Sequence, residues 1–100
     1  MKRLSILGST GSIGVNTLNV IRNLEEKFFI KYLTANSNSE LLIKQAIEFR
    51  PKTVVIVNKE KANIVKESVE KFGIDVMVGR EGLIECAKDS DVDILLNGLV

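Results

Sequence analysis

The sequence predicts an α/β fold, a doubly wound parallel sheet with helices on both faces. Three observations carry that expectation. Short apolar, β-branched runs alternate with segments of helical periodicity along the whole chain, in the pattern β-α-β-α-β-α-β-α-β. The connections are long enough for crossovers, which parallel pairing requires. The first apolar run, Leu4-Ser5-Ile6-Leu7, passes without a gap into Gly8-Ser9-Thr10-Gly11-Ser12-Ile13-Gly14, a glycine-rich turn that opens a helix.

Arg3 to Leu7 reads as the first strand and Ser12 to Leu24 as the first helix, with Ile13, Thr17, Ile21 and Leu24 on one face. Glu25-Glu26-Lys27 is a polar turn. Phe28 to Thr34, rich in aromatic and β-branched residues, is the second strand. Ser37 and Glu40 have capping-box spacing, so the second helix starts there. It runs to about Arg50 with Leu42, Ala46 and Phe49 on one face, and Pro51 stops it. Thr53 to Val57 is continuously apolar or β-branched, the mark of a strand buried on both faces. Lys59 to Phe72 is the third helix, with Ala62, Val65, Val69 and Phe72 inward and Gly73 as its C-cap. Asp75 to Val78 is a short strand. Glu81 to Lys88 is a short helix with Leu83, Ile84 and Ala87 inward. Asp93 to Leu96 is the last strand, closed by Asn97-Gly98.

The glycine-rich turn is where chemistry concentrates. A glycine tolerates positive φ and lets a ligand approach the backbone. The helix that follows presents unpaired N–H groups and the positive end of its dipole, which suits a pyrophosphate. The spacing is G-x-x-G-x-x-G, so Gly8 stands one residue earlier than in G-x-G-x-x-G, while Gly11 and Gly14 keep the usual separation. Gly11 is assigned to close approach of the ligand and Gly14 to packing of helix on strand. Ser9, Thr10 and Ser12 add hydroxyls, and Thr10 and Ser12 join the three glycines as candidate cofactor-binding residues. No Gly-Lys-Ser/Thr follows, which excludes a P-loop. The expected architecture is therefore Rossmann-like and the expected ligand a dinucleotide.

The end of the second strand chooses between dinucleotides. An acidic residue there binds the ribose 2′-hydroxyl of NAD. Here the positions are Thr34, Ala35, Asn36, Ser37 and Asn38, none acidic. A 2′-phosphate is therefore admitted, with Asn36, Ser37, Asn38 and the amides of the second helix as its cradle. Arg80, after another strand, is a candidate source of positive charge.

Composition bounds the rest. The chain has 100 residues, 45% hydrophobic and 27% charged, enough for one globular domain. A net charge of +1 gives no electrostatic case for nucleic acid or an anionic membrane. The apolar stretch after Met1-Lys2-Arg3 is too short for a signal peptide core, so a cytoplasmic protein is expected. Cys86 is the only cysteine and reads as a small core residue, and histidine is absent, which argues against a zinc site. Glu25, Glu26, Glu40, Asp91 and Asp93 read as solvated faces and turns. Asp91-x-Asp93 lies at the amino end of its strand, the wrong side for a ligand in this fold.

The stretch Leu4 to Gly14 with Thr17-Leu18, together with Ala35-x-x-Asn38, Phe49-Arg50-Pro51, Asp91-Val92-Asp93 and Asn97-Gly98-Leu99-Val100, resembles the amino terminus of the 1-deoxy-D-xylulose 5-phosphate reductoisomerases. The resemblance runs over all 100 residues, about the first quarter of a usual family chain. It implies a bacterial or plastid enzyme of non-mevalonate isoprenoid biosynthesis. Such an enzyme rearranges the sugar phosphate and reduces it with NADPH to 2-C-methyl-D-erythritol 4-phosphate, using a divalent metal, Mg or Mn, as a homodimer. It implies that Thr10, Gly11, Ser12 and Ile13 hold the pyrophosphate end of NADPH and that Ala35 to Asn38 hold the 2′-phosphate. Many members carry Gly-Lys where this chain has Asn36-Ser37. The catalytic residues and metal ligands implied by the family fall after Val100, so none is assigned here.

Two other readings share the glycine pattern: an aspartate-semialdehyde dehydrogenase-like oxidoreductase, and a module that senses NADP without chemistry. The alternation breaks off at Leu99-Val100, whereas a doubly wound fold has a second half, so the chain is expected to be the NADP-binding part (1–100) of a longer protein.

Overall fold

In the computed structural model, described over residues 1–24 and 27–98, the sequence pattern resolves into β1 (Lys2–Leu7), α1 (Ser12–Arg22), β2 (Phe28–Ala35), α2 (Ser39–Phe49), β3 (Thr53–Ile56), α3 (Ala62–Val69), β4 (Asp75–Val78), α4 (Gly79–Lys88) and β5 (Ile94–Asn97). Short 3₁₀ turns, Lys59–Lys61 and Glu70–Phe72, flank α3. Glu25, Glu26, Leu99 and Val100 lie outside the described residues, so the polar turn and the final dipeptide expected above are not described.

The five strands form one parallel sheet in the order β4-β3-β2-β1-β5. That order decides the layers. From β1 to β4 the chain steps in one direction, so right-handed crossovers put α1, α2 and α3 on one face. From β4 it returns across the sheet to β5, which puts α4 on the other. The side chains agree. Leu4, Ile6, Leu33, Val54 and Ile56 pack with Leu18, Ile21, Leu42, Ala46, Val65 and Val69 from the three helices. Leu7, Tyr32 and Val55, facing the other way, pack with Cys86 of α4. The expected doubly wound α/β class is the one observed.

The β1–β2 register slips between Leu4 and Ser5: Leu4 pairs with Ile30, Ser5 with Tyr32, and Lys31 is the extra residue. A regular strand would send Lys31 and Tyr32 to opposite faces. The bulge lets both reach Asp89, the ammonium at 2.6 Å and the phenol hydroxyl, as donor, at 2.6 Å. The Lys31 hydrogen bond, then that of Tyr32, holds the Asp89 carboxyl well below the usual carboxylate range. Burial, followed by the bond to Asp89, pushes the Tyr32 phenol up.

Several local expectations are corrected. α1 ends at Arg22, so Leu24 is outside it, and its buried face is Gly14, Leu18 and Ile21. Ile13 is 57% exposed. The helix is rolled so that Gly14, not Ile13, meets the preceding turn. α2 starts one residue later than the capping box implies. Its cap is Asn38, whose Oδ1 accepts from the Leu41 N–H at 3.1 Å. In α3, Ala62, Val65 and Val69 are buried as expected, but Phe72 sits in the trailing 3₁₀ turn beneath the Arg50 guanidinium, 4.2 Å from its ring centre. Gly73 takes φ 77° and closes that turn as its cap. α4 begins at Gly79 and turns Gly82 and Cys86 inward, with Leu83 half-buried, while Ile84 is 49% exposed and Ala87 is exposed. A Cβ on Gly82 would lie 2.8 Å from Met77 Cβ, so the helix rides too close to the sheet for any other face to fit.

Cys86 is a core residue, as expected, and Asp91 and Asp93 are exposed. Cys86 is buried, its Sγ 3.2 Å from Ser5 Oγ, and burial pushes the thiol up. Asp93 accepts from the Arg3 N–H at 2.7 Å, and its carboxyl is held below the usual range by that bond. Asp91 and Asp93 both lie within 4 Å of the Arg3 guanidinium, at 3.9 and 3.5 Å. No helix among the described residues is long and apolar enough to cross a membrane.

Candidate functional site

In an open parallel sheet, ligands bind outside the carboxyl ends of the strands where the strand order reverses. Here that point is β1, with β2 on one side and β5 on the other. The glycine-rich turn leaves β1 at this place. Gly98, after β5, closes over it: its N–H donates to the Leu7 carbonyl at 2.8 Å, and a Cβ on it would stand 3.4 Å from the Gly14 nitrogen.

Within the turn the residues divide into those that build it and those left open. Gly8 is a builder. It takes φ 74°, donates its N–H to Thr34 Oγ1 at 2.9 Å, and accepts from the Gly11 N–H at 3.1 Å. Gly14 is a builder too, since its Cβ would meet the Gly8 oxygen and Ser9 Cα at 2.5 Å each. Ser9, expected as an open hydroxyl, is fully buried and bonded to Thr34 and Gln45. Gly11, Ser12 and Ile13 are exposed and Thr10 is half-buried. A Cβ on Gly11 would meet nothing closer than 3.5 Å, so the protein itself leaves room there.

The electrostatics of α1 suit an anion. Gly11 is its N-cap, makes no side-chain cap bond, and the first turn carries no acid. The first-turn N–H groups have no acceptor within the helix, and the dipole places partial positive charge there. These residues fit the pyrophosphate of a dinucleotide.

The loop after β2 lies alongside. Ala35 is buried and ends the strand; Asn36, Ser37 and Asn38 are exposed. Two of the α2 amides expected to cradle a phosphate already have partners in the loop. The Ser39 N–H goes to the Ser37 carbonyl at 2.8 Å and the Leu41 N–H to Asn38, and Glu40 adds a negative charge in the first turn. Asn38 is spent on capping, which leaves Asn36 and Ser37 as the polar surface.

The end of β3, unnoticed in the sequence, is attached to that surface. The Asn58 N–H donates to the Asn36 carbonyl at 2.8 Å and its Nδ2 to Ser37 Oγ at 3.3 Å. Lys59 follows at once, exposed and, among the described residues, without an ion pair. Arg80 is not brought to the loop in the same way: it follows β4, and β3 stands between β4 and β2. Among the described residues no three His, Cys, Asp or Glu converge as a metal site. Cys86, with its thiol buried beneath α4, has no access to a substrate.

Residues 4–100 match the family described as 1-deoxy-D-xylulose 5-phosphate reductoisomerase. The 1-deoxy-D-xylulose 5-phosphate reductoisomerase of Chloroherpeton thalassium is 46% identical over 100 residues, all of this chain and 26% of its own length. That of Thermoanaerobacter sp. strain X514 is 47% identical over 96 residues, 95% of this chain and 25% of its own. A crystal structure of DOX-P reductoisomerase with NADPH, fosmidomycin and magnesium superposes with a TM-score of 0.88 at 34% identity, covering 95% of this chain and 24% of that one. The Zymomonas mobilis enzyme with NADPH gives 0.83 at 31%, covering 86% and 23%. The chain thus spans about a quarter of the length of these relatives. A parallel sheet that reverses at β1, a G-x-x-G-x-x-G turn at the reversal and a match over residues 4–100 agree: the chain belongs to the 1-deoxy-D-xylulose 5-phosphate reductoisomerase family.

Proposed function

We propose that residues 1–100 form the NADPH-binding part of a reductoisomerase that rearranges and reduces 1-deoxy-D-xylulose 5-phosphate to 2-C-methyl-D-erythritol 4-phosphate. The observation that carries this reading is the uncapped, acid-free start of α1 set at the strand-order reversal, in a chain of this family. NADPH supplies the hydride for the reduction. The chain's own residues do the holding. Thr10, Ser12 and Ile13 line the pyrophosphate through amides and hydroxyls, and Gly11, whose own N–H is bonded to the Gly8 carbonyl, leaves the room for it. Gly8 and Gly14 shape the turn. Ala35 ends the strand that leads to the 2′-phosphate loop, Asn36 and Ser37 face that phosphate, and Asn38 fixes the loop by capping α2. Lys59, next to Asn58 in the chain and with its Cε near Gly79, is the candidate cation for a loop that itself lacks one. The divalent metal, its ligands and the catalytic groups belong to other parts of the enzyme, which works in the cytoplasm as a homodimer.

The test is a titration of the 100-residue chain with NADPH and NADH, read by cofactor fluorescence, beside an assay of NADPH oxidation with deoxyxylulose phosphate and a divalent metal. The expected result is binding that favours NADPH, with no substrate-dependent oxidation. Absence of NADPH binding to the folded chain overturns the proposal. Turnover would show an active site within these residues.

A further inference from the structure

Gln45 is a polar residue on the inward face of α2, beside Leu42 and Ala46, and is only 6% exposed. A carboxamide buried in that position is costly unless both of its ends are bonded. Both are, and to one residue. Its Oε1 accepts from Ser9 Oγ at 2.7 Å, and its Nε2 donates to the Ser9 carbonyl at 2.9 Å.

Ser9 in turn is the seat of the glycine-rich turn. Its N–H donates to the Thr34 carbonyl at 2.8 Å, and its hydroxyl also reaches that carbonyl at 3.2 Å. The first turn of α1 rests on it, with the Gly14 Cα facing Ser9 Cα so closely that a Cβ would not fit. The side chain that fixes Ser9 therefore sits on the same rigid helix whose cap, Asn38, ends the second loop.

We propose that Gln45 is a positioning residue of the dinucleotide site: through Ser9 it sets the orientation of the open turn Thr10 to Ile13, and through α2 it ties that turn to the Asn36–Asn38 loop. It touches no ligand. Its contribution is to hold the pyrophosphate amides where a ligand meets them without reordering the backbone. This inference rests on the dinucleotide reading above.

The test compares the wild-type chain with Gln45→Met, which keeps length and apolar volume but removes both bonds. Two measurements are made: the Kd for NADPH, and amide hydrogen exchange at each residue without ligand. Loss of a buried pair of hydrogen bonds at the turn is expected to weaken NADPH about tenfold. Exchange should speed up at Gly8, Ser9, Gly11 and Val15, whose N–H groups are bonded within the turn, while the amides at the centres of β1 and β3 keep their protection. An NADPH affinity within about twofold of wild type, or exchange that speeds up equally across the sheet, overturns the proposal. If Gln45→Met does not fold, Ser9→Ala takes its place. It removes the hydroxyl's bonds to Gln45 and Thr34 and keeps the Gln45 bond to the Ser9 carbonyl. The same two readouts apply: a weaker NADPH affinity with faster exchange confined to the turn is expected, and an unchanged affinity overturns the proposal. The exchange measurement needs no ligand. A wild-type chain that fails to bind NADPH therefore defeats the dinucleotide reading, whereas a variant that binds as wild type defeats only the role of Gln45.

Discussion

A Cβ on Gly14 would stand 2.5 Å from the Gly8 carbonyl oxygen, whereas one on Gly11, three residues earlier, would stand 3.5 Å from that same atom. The two glycines therefore serve different ends. Gly14→Ala must push α1 off the turn, and overpacking of this kind costs about 1–3 kcal/mol. A lower Tm in thermal unfolding is the expected outcome. Gly11→Val lies at an exposed, extended N-cap and leaves Tm near wild type, yet its side chain occupies the space a pyrophosphate needs. Loss of NADPH binding by fluorescence titration is expected, and unchanged affinity in the folded variant would sink the assignment of Gly11.

Ser37 is exposed and held by Asn58, at the loop assigned to the 2′-phosphate. Ser37→Asp sets a like charge a few ångströms from that phosphate, a repulsion of about 1–4 kcal/mol. NADPH affinity should fall far more than NADH affinity. Equal losses for the two cofactors would mean that this loop does not read the phosphate.

Lys59 provides the complementary experiment. An exposed lysine pairing with a phosphate contributes through a screened interaction of about 1 kcal/mol. Lys59→Ala should therefore weaken NADPH about fivefold, spare NADH, and flatten the dependence of NADPH binding on salt. The check is a set of titrations at low and high ionic strength. A salt dependence that survives the substitution would remove Lys59 from the site.

Asp89 ties stability to pH. Its folded carboxyl is held low by Lys31 and Tyr32, so it binds protons less readily than in the unfolded chain. Such a group contributes stability that is present above the unfolded value of about 3.9 and lost as pH falls through the folded one. Asp89→Asn should lower stability at neutral pH by about 1–3 kcal/mol, since it leaves the partly buried Lys31 ammonium only the more distant Asp91 carboxylate, at 3.9 Å. Below about pH 4 the gap between variant and wild type should narrow. Denaturant unfolding at several pH values measures both, and a gap that stays constant with pH would contradict the pairing.

Much of this protein was legible along the chain. The alternation of β-branched runs with 3.6-residue periodicity is a local property, and it determined the nine elements, their order and the α/β class. Turn chemistry is local as well, so the Gly8–Gly14 turn, the stop at Pro51 and the Gly73 cap could be read from neighbouring residues. Helix phase departs from the hydropathy pattern where a glycine forms the contact. Gly14 and Gly82 carry no hydropathy signal, yet they are the faces that let α1 and α4 approach the backbone and sheet. Tertiary structure alone decided the rest. Asn58 reaches Ser37 across 21 positions, and Gln45 reaches Ser9 across 36, only because β1, β2 and β3 lie side by side. Strand order is set by the packing of the whole sheet and by the handedness of its crossovers. No short stretch of sequence contains it, because the hydrogen bonds that define it join residues far apart in the chain.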